Sequence, residues 1–437
     1  MRLTSAVLSI LIVLLLVSCK ECPTEPKPID YNLQLSVRFQ GCKTIKFNLS
    51  CADSTREKIW VLNRDGQFIS SDTLYGSDTV ITDNSVSVDN TYKYQALFYN
   101  KSDNFLDSSM TLEVVMLPST SHEFAWMLDT LGYWGYLHDV FAISENDVWV
   151  VGEFMIDKPD TIHNSEYTDC NAAHWNGTMW EPMYIPVYNY GTYWYFQLYS
   201  VFGFSSDEVY FLGHNRLVMW NGNEFVQKLN LLDVPGITVL EQLWGYSGEE
   251  LYIGGSEGFM LKTDGENWER IPSFTTREIR EIVGDSHNKL WITANNSSGH
   301  GYYHYFDGNV WQSWGTQFYP GTETIIVDAI CSIDDSYIIT YVGTTVGTAV
   351  AHSQDDYNDY EVLYVRNTGW WLALDGNDIN DFFGVGDRNT VTHFNGKTTK
   401  DYLELSGYSF WEGVDQIGDY VFIVGNPAGP VVAIGKR

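Results

Sequence analysis

Basic residues are scarce in this chain: 25 Lys and Arg stand against 56 Asp and Glu in 437 residues, a formal net charge of −31. Affinity for a nucleic-acid backbone comes from clustered cations, so the composition argues against nucleic acid and anionic surfaces as partners. An acidic excess of this kind also keeps an exported protein soluble. Cysteine is equally scarce, with six residues, so this is no disulfide scaffold. Cys42 and Cys51 bracket an alternating, strand-like segment, which sets them roughly 30 Å apart, far beyond the reach of a disulfide. Cys170 and Cys331 read as isolated thiols. No Gly-rich phosphate loop, paired CxxC motif or nucleophile elbow occurs, so the reading leans against an enzyme and expects no cofactor. Metal signals are as thin. Cys170 and His174 make half a site, and the segment Asp375-Gly376-Asn377-Asp378-Ile379-Asn380-Asp381 carries Ile379 where a calcium loop needs oxygen, so it reads as an Asx-rich turn.

A start is nonetheless well marked. Arg2 precedes an apolar run over residues 6–17, too short for the about 20 residues that span a bilayer but right for an export signal. Leu16-Val17-Ser18-Cys19 follows and resembles the lipobox of bacterial lipoproteins. The resemblance implies that residues 1–18 are a signal peptide and that Cys19 carries lipid. Two acyl chains hold durably, at about 0.8 kcal/mol per buried methylene, so the implied partner is a membrane. Lys20 stands where an aspartate would resemble an inner-membrane retention signal, which favours the outer membrane, on its periplasmic or cell-surface face. Residues 19–30 are proline-rich and polar, an extended tether.

The remainder reads as all-β in two modules. Over residues 31–118 short alternating runs are broken by turn residues, the pattern of a β-sandwich. Ile59-Trp60-Val61, the turn Arg64-Asp65-Gly66 and Thr91-Tyr92-Lys93-Tyr94 resemble the core tryptophan strand and tyrosine strand of a fibronectin type III domain, a module that serves as spacer or adhesion unit. Over residues 119–437 the sequence repeats itself. Asn146-Asp147-Val148-Trp149-Val150-Val151-Gly152 returns as Asp207-Glu208-Val209-Tyr210-Phe211-Leu212-Gly213 and as Glu249-Glu250-Leu251-Tyr252-Ile253-Gly254-Gly255. Weaker copies lie at residues 290–292, 337–339, 382–386 and 421–425, seven in all and about 40 to 60 residues apart. Hairpin signals such as His174-Trp175-Asn176-Gly177, Met219-Trp220-Asn221-Gly222 and His393-Phe394-Asn395-Gly396 follow most copies. Four strands per repeat at this period predict the blades of a β-propeller, seven by count within a range of six to eight. The last repeat is one strand short, and residues 123–128 are expected to supply its outer strand. The repeats resemble the tryptophan-rich propellers of exported bacterial proteins, including the photosystem II assembly factor type and lipoproteins loosely named glucosyl transferase, although no transferase motif accompanies them.

Site residues are sought where loops are irregular and on the inner strands. The exit loop of the first repeat carries Tyr190, Tyr193 and Trp194, the fourth repeat Tyr302, and the sixth Trp370 and Trp371. Aromatics on loops have no automatic core to fill and can stack on sugars or anchor a protein. Superposing the inner strands brings His138, Tyr199, Glu241, Arg280, Asp328 and Glu412 to equivalent positions, with Asp139, Gln242 and Glu281 next to some of them, a polar ring at a channel mouth. These residues are the expected binding face. The expected role is a binding or scaffold module that recognises a protein or glycan. The alternatives are a carbohydrate-active enzyme working through mouth carboxylates and a purely structural component of an envelope assembly.

Overall fold

The computed structural model describes residues 31–437 except 161–164, 190–191, 214–215, 231–238, 273, 285–288, 296–300, 307–308, 315–325, 334–336, 344–346, 355–358, 367–369, 389, 406–409 and 427–428. The expected signal peptide, Cys19 and the expected tether lie outside the described residues, as does Tyr190. No helix among the described residues is long and apolar enough to cross a membrane. The chain forms two compact units, one gathering residues up to Ser36 with Phe47–Ile81 and Tyr92–Val114, the other Val37–Lys46, Thr82–Thr91 and Val115–Arg437.

The first unit is built from antiparallel strands. Its central strand, Lys58–Arg64, pairs with Gln67–Leu74 on one side and Thr91–Tyr99 on the other. Trp60, Leu62, Tyr94 and Phe98 alternate inward and are buried, as period-2 patterning requires. The hairpin at Asp65-Gly66 puts both turn residues at positive φ, 51° and 77°, the twist-matched turn that Asp-Gly favours.

In the second unit, seven four-stranded antiparallel sheets follow one another among the described residues, the architecture of a β-propeller. Their first strands are Trp134–Ser144, Ser200–Ser205, Leu240–Ser247, Glu278–Gly284, Ile326–Ile333, Trp371–Asp378 and Trp411–Ile417, and we number the sheets one to seven in that order. Each first strand packs against the next, and that of sheet seven packs against that of sheet one. Sheet seven takes its fourth strand from Ala125–Thr130, which pairs with Val431–Lys436.

A polar clasp secures this closure. Arg437 grips Asp381 through both guanidinium nitrogens at 2.8 and 2.9 Å. The same carboxylate accepts from Thr120 and Asn377, each at 2.9 Å, and from Gln416 at 3.1 Å, and meets His393 Nε2 at 2.8 Å. His122 Nδ1 stands 2.7 Å from His393 Nδ1.

The repeated sequence elements acquire physical meanings. The second strands are almost wholly buried, which explains their continuous apolar runs. The acidic residue opening a second strand serves the aromatic two places on. Asp147 bonds His174, which stacks on Trp149 at 4.3 Å, and Asp381 bonds His393, which stacks on Phe383 at 4.6 Å. The Asn-Gly and Asp-Gly hairpins differ from expectation. Gly177, Gly222, Gly265 and Gly396 have positive φ, but Asn176, Asn221, Asp264 and Asn395 do not. Their side-chain oxygens instead accept the N–H groups two and three residues on. They are Asx caps on the turn.

Candidate functional site

The first strands of all seven sheets line one cavity of about 780 Å³. Near its mouth six of the seven sheets carry the same irregularity, a β-bulge between first and second strands. The bulges fall between Leu137 and Asp139, Leu240 and Gln242, Ile279 and Glu281, Val327 and Ala329, Trp371 and Ala373, and Trp411 and Gly413. The bulged residues are therefore His138, Glu241, Arg280, Asp328, Leu372 and Glu412. A bulge bends its strand and re-aims a side chain, so the positions found by superposing repeats are those where the ladder is broken. In sheet two the equivalent Tyr199 lies just ahead of the strand.

The glycines closing the repeats of sheets one, six and seven belong to this device. Gly152 pairs with Leu137, just before the bulge, and a Cβ there would collide with the carbonyl oxygen of Tyr136. Gly386 stands in the same relation to Trp370, and Gly425 to Phe410.

At the mouth, His138 Nδ1 lies 2.7 Å from Glu412 Oε2, while its Nε2 meets the side-chain amide of Gln197. An amide nitrogen can only donate, so this pairing leaves Nδ1–H to donate to Glu412. Tyr199 donates to Gln197 Oε1 at 3.3 Å and its ring lies 5.6 Å from that of His138. Arg280 bonds Glu278 at 2.8 Å and stands 3.9 Å from Glu241. Burial and the neighbouring Glu278 push the Glu241 carboxyl up.

Inside the mouth lie four more carboxyls, of two kinds. Asp139 accepts from its own Val140 N–H at 2.8 Å and from Val201 N–H of sheet two at 2.9 Å. Asp375 accepts from Gln416 N–H of sheet seven at 2.6 Å, and Asp415 from Ala142 N–H of sheet one at 2.8 Å. Each ties its sheet to the next around the ring. Asp375 and Asp415 also hydrogen-bond one another, and burial pushes both up, Asp375 to about 7. Asp139 is raised to about 6, again by burial. Glu281 makes no hydrogen bond or ion pair among the described residues, and its surface faces the cavity. Burial first, and then the charges of Asp139 and Asp375, raise it to about 8.

Two residues outward from each bulge is the rim. On consecutive sheets six, seven and one it carries Trp370, Phe410 and Tyr136, exposed to 43%, 47% and 41%. Tyr133 and Trp134 extend this crescent, with Tyr133 stacked on Tyr167 at 4.4 Å and Trp134 edge-on to Tyr136 at 5.9 Å. On sheets two and four the rim is polar, Gln197 and Glu278.

The structure thus gathers His138, Asp139, Tyr199, Glu241, Arg280, Glu281 and Glu412 around one cavity. Asp328 sits at the bulge of sheet five. Tyr193 and Trp194 fall on a small hairpin strand, Thr192–Trp194, and Tyr302 on the strand Gly301–Phe306 of sheet four. Trp371 is a correction. It is completely buried with Tyr341 and Phe382, its indole lying where a Cβ on Gly384 would go, so it is core and no part of a binding face. The Asx-rich turn is a second correction. Asp375 lies in a first strand and lines the cavity, and Asp381 is the buried clasp residue. Cys170 and His174 share one strand, where four residues span roughly 13 Å, so they do not form a common site. Sequence reading missed Tyr136, Phe410, Asp375 and Asp415. Tyr136 and Phe410 stand two residues ahead of positions already superposed and Asp415 three beyond one, while Asp375 stands three beyond Leu372, the apolar position of the sixth repeat that the superposition did not include.

No family model matches the chain, and no curated protein matches it. Solved structures do resemble it in fold. One of YCF48 bound to D1 peptide is 13% identical, with a TM-score of 0.55 over 73% of this chain and 99% of that one. Another, YCF48 from Cyanidioschyzon merolae, is 15% identical, with a TM-score of 0.51 over 71% of this chain and 98% of that one.

Proposed function

We propose that this protein is a lipid-anchored protein-binding module of the bacterial envelope, with a fibronectin type III-like spacer and a seven-bladed propeller whose aromatic rim takes a protein segment across the channel mouth. The observation that carries this reading is the crescent of Trp370, Phe410 and Tyr136. Three large aromatics at one register on three successive sheets, each more than two-fifths exposed, form an apolar patch beside a polar mouth. That is the composition of an interface core with its rim. A structural neighbour of the same fold was solved with a peptide bound, which lends the reading an analogy of fold. The anchor rests on the Leu16-Val17-Ser18-Cys19 motif and the outer-membrane address on Lys20.

An enzyme reading is less well supported. The mouth does hold carboxyl pairs, but Asp375 with Asp415 and Glu241 with Glu278 are in hydrogen-bonding contact. Glycoside hydrolysis sets its two carboxyls about 5 to 10 Å apart, and Asp375 and Asp415 already spend oxygens on backbone N–H groups.

The test is capture from an envelope extract by full-length protein, with a variant carrying Trp370→Ala, Phe410→Ala and Tyr136→Ala in parallel. A partner held by the parent and lost by the variant supports the rim. A partner held equally by both overturns it. Mass spectrometry of the mature N-terminus tests the anchor, and an unacylated Cys19 would remove it.

A further inference from the structure

The rim leaves open what enters the channel, and the wall below it is divided. Three residues beyond the mouth positions, sheets one, two and three contribute Phe141, Phe202 and Trp244, all lining the cavity. Their rings run on from one another, 5.0 Å from Phe141 to Phe202 and 6.1 Å from Phe202 to Trp244. At the same register sheets six and seven contribute Asp375 and Asp415, and sheet four sends Glu281 into the space. One arc of the bore is therefore aromatic and another is acidic. Glu281 differs from its neighbours in having nothing to do for the fold. Asp139, Asp375 and Asp415 each hold a backbone N–H of the following sheet, whereas Glu281 is partly buried, makes no hydrogen bond or ion pair among the described residues and lines the cavity.

We propose that the channel receives a single cationic side chain, lysine or arginine, projected by the bound partner, with its alkyl stem passing the aromatic rim and its charged head hydrogen-bonded to Glu281 above the aromatic faces of Phe141, Phe202 and Trp244. The chemistry fits on three counts. Long cationic side chains bury their stems on apolar surface and keep the head in a polar place. Aromatic faces attract such heads, and a carboxylate without other donors forms the strong charge-assisted bond. A metal ion fits less well, because no three His, Cys, Asp or Glu side chains among the described residues stand close enough to hold one. An anion would meet carboxyls on most sides, with Arg280 already engaged by Glu278. The groups facing Glu281 are Asp139, Asp375, Arg280 and the Cys331 thiol. Since burial and the first two hold a proton on it near neutrality, the incoming cation displaces that proton.

This inference rests on the protein-binding reading for the source of the cation, and its test does not. Agmatine, a guanidinium on a four-carbon amine, is titrated into the full-length protein by calorimetry, against neutral N-butylurea and against calcium chloride. Expected are saturable binding of one agmatine, none of N-butylurea, proton release seen as a dependence on buffer ionisation enthalpy, and tighter binding at pH 8 than at pH 6. Glu281→Gln, its fold checked by circular dichroism, is expected to weaken agmatine about tenfold, the loss of one charge-assisted bond. No saturable agmatine binding, equal binding of N-butylurea, an unchanged Glu281→Gln, or stoichiometric calcium that excludes agmatine would each overturn the proposal. The rim variant separates the two readings. Lost partner capture with agmatine binding intact supports both. Partner capture unaffected by the rim variant, with agmatine still bound, sinks the rim alone. Capture lost with the rim but no agmatine binding sinks only the channel inference.

Discussion

Asp381, fully buried, and Glu281, partly buried at the cavity wall, are both carboxyls on the propeller's strands, and their surroundings drive them in opposite directions. Asp381 receives the two-pronged grip of Arg437 together with His393, Asn377, Thr120 and Gln416. Burial opposes its charge, but these donors outweigh burial and hold it well below the usual carboxylate range. Glu281 has no donor to set against burial, and it rises to about 8. A saturated carboxyl has been spent on the fold, and an unsatisfied one costs stability unless something arrives to satisfy it. The contrast separates clasp from site more sharply than residue type or burial does.

The largest effect expected from this contrast is at the clasp. Asp381→Ala leaves Arg437 and the His122–His393 pair without their shared acceptor, and breaking a buried pair costs about 3–5 kcal/mol. Denaturant unfolding measures it, and a loss below about 1 kcal/mol would mean that Asp381 does not hold the ring. The clasp is also acid-labile. Burial first, and then the facing His393 and Lys400, push His122 down to about 4, against the weaker upward pull of Glu123 and Asp381. Its neutral form is thus the folded form, and the unfolded chain binds the extra proton between about pH 6.5 and 4. Stability from this group is complete above that window and lost as pH falls through it.

Next in size is Asp415→Ala, which strands the buried N–H of Ala142 and should cost about 1–3 kcal/mol. Asp415 thus belongs with Asp381 although it lines the cavity. If Asp415→Ala were neutral, the distinction between tied and free carboxyls in the channel would collapse.

Glu281→Gln is expected to act with the reverse sign. A raised folded value means that the folded state keeps a proton the unfolded state has released, so Glu281 is harmless below about pH 4.5 and erodes stability as pH rises toward 8. The glutamine variant should therefore match the parent near pH 4.5 and exceed it by roughly 1–3 kcal/mol near pH 8. Melting curves across that range, with the acid limb unchanged, would assign the two limbs of the pH profile to two different places.

How much of this was legible in the sequence follows from the same distinction. The repeats were readable because they are dictated locally. A buried second strand needs an unbroken apolar run, a tight turn needs glycine, and Gly152 or Gly386 is required by a carbonyl one strand away. The mouth ring was readable because the bulges recur at fixed offsets from those glycines. Trp371 was misread because Trp370 and Trp371 look alike in sequence, and only the pleat decides which faces the core. Asp375 and Asp381 were misread together, since seven residues of Asx-rich sequence conceal a strand, a hairpin and two carboxyls with opposite fates. Partner counts such as those of Asp381 are set by residues up to 261 positions away, and no local pattern records them.

The smallest effect on stability is expected where the functional effect is largest. Trp370, Phe410 and Tyr136 keep 43%, 47% and 41% of their surface in the folded protein, so truncating any one of them gives up only part of the burial a core aromatic would. Each single alanine variant should cost about 1 kcal/mol. Rim residues of a binding surface behave in this way because their burial is completed by the partner, where a central aromatic commonly contributes 2 kcal/mol or more. A rim aromatic whose truncation destabilised the isolated protein by several kcal/mol would belong with Asp381, as part of the fold, and the crescent would lose its claim to be a docking surface. Thermal unfolding of the three single variants, set beside their capture of partner, distinguishes these outcomes residue by residue.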